Sequence, residues 1–359
     1  MNKGFIIDGN SLLPDFALSN SFPVSSSPKG YNVTLERSRF SKIFKTIYNE
    51  GDIVLIDENV LFLYPVDNVS KYVVTAIEEN KNINTVLDFA KYMNDNNFNK
   101  KNKVIVVGGG ITQDIGAFAC SVFKRGVNWV LFPTTLLSMC DSCIGGKTGI
   151  NFSNTKNQLG LFSSPSEVII CFDFLNTLES KDIKSGLGEV LKLYAMHNRD
   201  NIVFYDKVVK DGTVIDKKDY YEIIKRALLI KKSVVERDEF EFDIRKSLNY
   251  GHTLGHAIEV LSEYRIPHGA AVSIGMVLVN KYFGFNDELL DKKCKELFGA
   301  EDLNNIDYDL FENLVKKDKK TVGNETTFVT LKEYGNIEFV PKVVDARFMS
   351  KIKSIIEGL

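Results

Sequence analysis

The sequence predicts an α/β domain with a largely parallel sheet, followed by a mostly α-helical domain. Two observations carry that reading. Short apolar runs alternate with helical periodicity through the first half, and long apolar-periodic stretches take over from about Leu178. The division is expected near 173–180, giving domains over residues 1–175 and 176–359.

The runs 53–56 (IVLI), 72–75 (YVVT), 104–107 (VIVV), 129–132 (WVLF) and 168–171 (VIIC) have strand length, and several are bounded by Gly, Asp or Pro. Helical patterns at 84–93 and 111–123 separate some of them, and 94–103, rich in Asn and Lys, reads as a solvated loop. In the second half the periodic stretches 183–196, 220–235, 253–261 and 270–283 read as helices.

Composition narrows the functional classes. The 359 residues carry 45 Lys and Arg against 47 Asp and Glu, a net charge of −2, with 44% hydrophobic residues. This is globular composition with no overall field to attract nucleic acid, so an anionic ligand has to be held by local groups. No run approaches the roughly 18–20 apolar residues that cross a bilayer, so no membrane partner is expected. The N-terminal apolar patch is broken by Asp8, Gly9 and Asn10 and lacks the apolar core of a signal peptide. Five cysteines, an odd number, read as reduced thiols of a cytoplasmic protein. Cys140 and Cys143 have the spacing of a redox or zinc pair, but no second such pair accompanies them.

Four segments carry chemistry. The run VIVVGGGITQD ends a strand with Gly108, Gly109 and Gly110 and opens a helix, so backbone N–H groups and a positive helix end can approach a phosphate. It is not the GxGxxG fingerprint, and a tight strand-to-helix turn explains the glycines equally. Upstream, Asp57 closes a strand where an acidic residue can bind a ribose hydroxyl. The second segment, PTTLL through DSCIGGKTGIN to KNQLG, gathers Lys147, Lys156 and Asn157 among glycines and hydroxyls, suiting phosphate and polyol recognition.

The third segment concerns histidine. The chain has four, and His252, His256 and His268 fall together. His252 and His256 are i and i+4 and share a helix face; with His268 and a carboxylate from elsewhere they suit a divalent metal. Hydrogen-bonded core histidines are the bland alternative, and HExxH is absent. In the fourth, SGLGEVLK, Glu189 and Lys192 sit three apart, and Glu189 is the best candidate for the missing carboxylate. His197 reads as a surface residue at a helix end.

In combination and in this order, GGGITQD, KRG, PTTLL, DSCIGGKTGIN, KNQLG, SGLGEVLK, DEFEFDIRKSLNYGHTLGHAIE, HGAAVSIGM and DKK resemble the dehydroquinate synthase family of sugar-phosphate cyclases, over about residues 57–320. The resemblance implies a Rossmann-like N-terminal NAD-binding domain and a helical, metal-binding C-terminal domain, with the active site in the cleft. It implies Glu189, His252 and His268 as ligands of Zn2+ (or Co2+), so that only one of the two i,i+4 histidines binds metal. Asp57, Asn59, Glu78, Lys81, Gly109, Gly110, Asp114, Thr134, Thr135, Asp141 and Ser142, with Lys156, are implied along NAD. Arg125, Lys147, Asn157, Lys192, Arg245, Asn249, His256 and Lys319 or Lys320 are implied at the substrate.

The implied reaction oxidises 3-deoxy-arabino-heptulosonate 7-phosphate transiently with NAD, eliminates phosphate, reduces the ketone again and closes the carbocycle by an intramolecular aldol step. The implied assembly is a homodimer. Gln113, Ala195-Met196-His197 and residues 322–328 depart from the family pattern, and related cyclases acting on sedoheptulose 7-phosphate or glucose 6-phosphate use similar machinery. A metal-dependent polyol or glycerol-phosphate dehydrogenase is the alternative from another reaction class.

Overall fold

The computed structural model describes residues 4–359 apart from 154, 300–302, 305, 318–320 and 323–324. The chain forms two compact units, Ala17–Leu178 and residues 4–16 with Glu179–Leu359.

The first unit is built on β1 (Ser21–Val24), β2 (Tyr31–Glu36), β3 (Ile53–Asp57), β4 (Ser70–Val74), β5 (Val104–Gly108), β6 (Trp129–Pro133) and β9 (Glu167–Cys171), with helices α1 (Ile83–Asp95) and α2 (Gly110–Val122). The sheet order is β1-β2-β9-β6-β5-β3-β4, parallel except for the β1–β2 pair. Strands β3, β5, β6 and β9 are buried almost throughout. Parallel strands covered on both faces carry continuous apolar runs, which is why these strands stand out in the sequence. Strands β1 and β2 alternate buried with more exposed residues and gave no such run. Outside this sheet, β7 (Lys147–Phe152) and β8 (Thr155–Phe162) form an antiparallel pair.

Chain order reverses at β3 and β5. From β3 the chain moves outward to β4, then returns through α1 to β5 on the other side and continues to β6. The carboxyl ends of β3 and β5 therefore lie side by side, Ile56 opposite Val107, with β6 next, Gly108 opposite Pro133. In open parallel sheets the crevice outside such a reversal is the usual ligand site.

The second unit contains α3 (Ser180–His197), α4 (Asp219–Val235), α5 (His252–Leu261) and α6 (His268–Phe283), with α3 and α6 buried along most of their length. It also holds a five-stranded sheet, ordered Thr321–Val322, Glu325–Glu333, Asn336–Val343, Phe5–Ile7 and Asn10–Leu12. Phe5–Ile7 pairs in parallel with Asn336–Val343, which is why residues 4–16 join the second half of the chain rather than the 1–175 domain drawn from sequence.

The same segment corrects the reading of His197. This residue is 2% exposed, with Phe5 and Phe16 at ring-centroid distances of 5.5 and 5.3 Å and Nδ1 2.9 Å from Asn201 Nδ2. A helix end reads as surface when the chain that covers it lies nearly two hundred residues away. All five cysteines are buried and none is in a disulfide, and the Cys140 and Cys143 thiols donate to the Leu137 and Met139 carbonyls within their own helical turns. Among the described residues no helix is long and apolar enough to cross a membrane.

Candidate functional site

In the second unit the metal candidates come together. Glu189 and Lys192 lie one turn apart on α3, with side chains 0% and 2% exposed, and form an ion pair. Glu189 Oε1 is 3.5 Å from His252 Nε2 and 3.3 Å from His268 Nε2. Nitrogens of His252, His256 and His268 lie within 4.8 Å of one another. The resemblance selects His252 and His268 as ligands; the structure places His256 in the same cluster, more exposed than either.

Local structure accounts for this convergence. His252 and His268 are the first residues of α5 and α6, so the partial positive charge of two helix starts falls near the Glu189 carboxylate. The two helices cross through small residues. A Cβ on Gly255 would lie 2.7 Å from the Ala271 carbonyl oxygen, and one on Gly275 would overlap the Gly251 carbonyl. The His252 Nδ1 proton goes to the Tyr250 carbonyl at 3.1 Å, and His268 Nδ1 lies 3.0 Å from Glu259 Oε2. In each ring the other nitrogen faces Glu189.

The site's electrostatics follow from burial and pairing. Burial alone would raise the pKa of Glu189, but Lys192 and His268 outweigh it and hold the carboxyl near 2. Burial would lower that of His268, yet contacts with Glu189 and Glu259 push it up to about 10. Both Glu189 carboxylate oxygens are buried with no donor in hydrogen-bond geometry. A desolvated carboxylate without directional bonds, facing two imidazoles, fits a divalent cation such as zinc.

The loop before α5 carries two expected substrate residues. Asp238 accepts backbone N–H bonds from Phe242, Asp243 and Arg245 at 2.9, 2.8 and 3.0 Å. Arg245 is 2% exposed; its guanidinium donates to the Glu239 carbonyl. Asn249 Nδ2 reaches Glu241 Oε1 at 3.3 Å. Lys319 and Lys320 lie outside the described residues.

In the first unit Asp57, Asn59, Gly109, Gly110, Thr134 and Thr135, half of the expected nucleotide residues, gather at the carboxyl ends of β3, β5 and β6. Gly109 caps α2, and a Cβ there would lie 2.9 Å from Thr135 Cγ2, whereas one on Gly110 would meet nothing within 4 Å. Tight packing behind an open backbone suits a pyrophosphate against a helix start, so these residues fit a dinucleotide. Thr134 N–H donates to the Gly108 carbonyl, and Thr135 Oγ1 to Ser138 Oγ at 2.9 Å. Asp57 closes β3 and caps the short helix Glu58–Leu63 that follows, through Asn59 N–H at 2.9 Å; burial raises its pKa.

Other expected contacts are made within the protein. Lys81 Nζ lies 2.6 Å from Asp114 Oδ2 and 2.7 Å from Asn157 Oδ1, which joins two cofactor candidates to a substrate candidate. Glu78 Oε1 accepts from Asn151 at 2.8 Å, and its Oε2 lies 3.8 Å from Lys156 Nζ. Lys147 is exposed at the start of β7. Arg125 is exposed, at φ 62°, beyond the far end of α2. A 13-residue helix spans about 20 Å, so Arg125 stands apart from the glycine turn of its own chain.

Several residues were not singled out from sequence as site residues. Gln113, a departure from the family pattern, exchanges two bonds with Ser142: Nε2 to the carbonyl at 2.8 Å and Oγ to Oε1 at 2.9 Å. Asp238 sat inconspicuously in an acidic run. Lys231 is 6% exposed on α4, a buried cation that its helical pattern already hinted at. Glu259 lies seven residues after His252, hence on the same helix face.

Comparison with known proteins agrees with this architecture. Residues 71–185 match the family model "3-dehydroquinate synthase N-terminal" and residues 186–321 match "3-dehydroquinate synthase C-terminal". The 3-dehydroquinate synthase of Acetivibrio thermocellus is 35% identical over 83% of this chain and 88% of its own. That of Dictyoglomus turgidum is 36% identical over 86% of each. Among solved structures, 2-deoxy-scyllo-inosose synthase, complexed with carbaglucose-6-phosphate, NAD+ and Co2+, has the same fold with a TM-score of 0.81 at 21% identity, covering 94% of this chain and 100% of that one. 2-epi-5-epi-valiolone synthase from Streptomyces hygroscopicus, with NAD+ and Zn2+ bound, has a TM-score of 0.80 at 22% identity, covering 93% and 98%. With both halves matched and two such relatives spanning most of its length, this chain belongs to the 3-dehydroquinate synthase family.

Proposed function

We propose that this chain is a 3-dehydroquinate synthase, converting 3-deoxy-arabino-heptulosonate 7-phosphate to 3-dehydroquinate and phosphate with NAD and one divalent metal. The observation that carries the reading is the buried Glu189 carboxylate, ion-paired with Lys192 and faced by the Nε2 atoms of His252 and His268. When bound, NAD takes up and returns hydride and the metal polarises the reacting oxygen, so there is no net redox change.

The chain's own groups bind and orient. In the first unit, the Gly109–Gly110 turn offers backbone N–H groups to the dinucleotide phosphates, and Asp57 takes a ribose hydroxyl. Lys147 and Asn157 are proposed at the substrate. In the second unit, Glu189, His252 and His268 hold the metal, and Lys192 balances the buried carboxylate. His256, beside the ligands, binds phosphate oxygen and assists proton movement there. Arg245 and Asn249 take the substrate carboxylate and hydroxyls; a guanidinium fork matches a carboxylate. The departing phosphate can itself take the C–H proton, so no separate base is required. A cytoplasmic homodimer completes the reading, and five thiols outside any disulfide fit that setting.

The test follows phosphate release and carbocycle formation by mass spectrometry, with NADH absorbance recorded in parallel. The expected result is phosphate released without accumulating NADH, and loss of activity after chelation. NADH rising one-for-one would mark a polyol dehydrogenase. Turnover of sedoheptulose 7-phosphate or glucose 6-phosphate alone would move the chain to another branch of the cyclases.

A further inference from the structure

We propose that Glu259 is a positioning residue of the metal centre: its carboxylate accepts the Nδ1 proton of His268 and fixes the ring with Nε2 toward Glu189. The inference rests on the reading of Glu189, His252 and His268 as metal ligands. His268 is the first residue of α6, and its side chain is 30% exposed, so packing alone does not lock its ring. Its two nitrogens face two carboxylates: Nε2 is 3.3 Å from Glu189 Oε1, and Nδ1 is 3.0 Å from Glu259 Oε2. These are different edges of the imidazole, so Glu259 holds the ring from the side away from Glu189.

His252 receives the same service from a different group. Its Nδ1 proton goes to the Tyr250 carbonyl, part of the backbone leading into α5. One ligand is thus held by a main-chain oxygen and the other by a side-chain carboxylate on α5. A ligating imidazole whose second nitrogen donates to a carboxylate is fixed in tautomer and orientation and is the more basic for it. His252, His256 and Glu259 stand at i, i+4 and i+7 on one helix, so α5 supplies a ligand, a neighbour and the anchor of the second ligand from one face.

The experiment titrates the metal-free, full-length protein with Co2+ against a chromophoric chelator and records the cobalt d–d spectrum, for wild type, Glu259→Gln and Glu259→Ala. Removing such an outer partner weakens metal binding about 10–100-fold. The Ala variant is expected in that range with an altered spectrum. The Gln variant, which keeps an acceptor without the charge, should fall between it and wild type. If Glu259→Ala does not fold without metal, the Gln variant alone carries the comparison. Co2+ affinities within twofold of wild type and an unchanged spectrum overturn the proposal, whatever the variants' thermal stability. A wild-type protein that binds no Co2+ overturns the metal-centre reading together with it.

Discussion

Gly188 and Gly269 meet backbone to backbone: a Cβ on Gly188 would overlap the Gly269 carbonyl, and one on Gly269 would overlap that of Ser185. Glu189 and His268 are the adjacent residues in the chain. The contact that lets α3 and α6 approach therefore also sets the buried carboxylate against the imidazole.

Gly188→Ala should separate those helices. Overpacking of this kind costs about 1–3 kcal/mol, and here the obstacle is backbone rather than a movable side chain. Urea denaturation should show the loss, and bound metal per chain should fall with it. A variant of wild-type stability and metal content would show that the approach is not required.

Lys81 and Asp114 form a largely buried pair, and burial already raises the Asp114 pKa against the pull of Lys81. Removing one partner of such a pair strands the other, at about 3–5 kcal/mol when burial is complete. Lys81→Met should therefore destabilise by about 2–4 kcal/mol, and Lys81→Met with Asp114→Asn by clearly less than the sum of the single changes. Denaturation of the four proteins in a double-mutant cycle checks this; strict additivity would remove the coupling.

Asp238 gives a pH dependence. Burial would raise its pKa, but three backbone N–H groups and Arg245 outweigh burial and hold it below the ordinary 3.8. Its contribution is fully present above 3.8 and is lost as pH falls through the lower folded value. Asp238→Asn should cost about 1–2 kcal/mol at neutral pH and should narrow its deficit against wild type as pH drops below 3.8. A deficit that stays constant down to pH 2, measured by denaturation, would falsify the assignment.

Arg245→Ala tests substrate choice. Hydrogen bonds to charged groups contribute about 1.5–3 kcal/mol each, so losing the fork should erase roughly one to two powers of ten in preference for the carboxylated heptulosonate over sedoheptulose 7-phosphate. A competition assay reads the ratio directly. Equal loss on both sugars would make Arg245 a structural residue of the Asp238 loop, consistent with its bond to the Glu239 carbonyl.

The parallel strands were legible because burial on both faces writes an unbroken apolar run, as in Val104–Gly108. Glu325–Glu333 and Asn336–Val343 mix apolar with polar residues, and their sheet is completed by Phe5–Ile7 from the other end of the chain, a pairing no local pattern announces. The metal candidates were legible because histidines are few and three of them cluster. Glu259 and Asp238 were not, because their roles lie in which protons they accept, and an acidic side chain in a charged stretch looks the same whether it meets water or an imidazole.

The pairing of Phe5–Ile7 with Asn336–Val343 also bears on how the chain is made. A ribosome releases Phe5 and Ile7 more than three hundred residues before their parallel neighbour exists, whereas Ala17–Leu178 emerges without interruption. During synthesis the continuous unit can close around its own sheet while the opening strands wait, with their apolar side chains and unpaired edge in reach of other chains. Asn336–Val343 is then the strand that shelters Phe5–Ile7, and nascent chains stalled before residue 336 should be the form most dependent on chaperones.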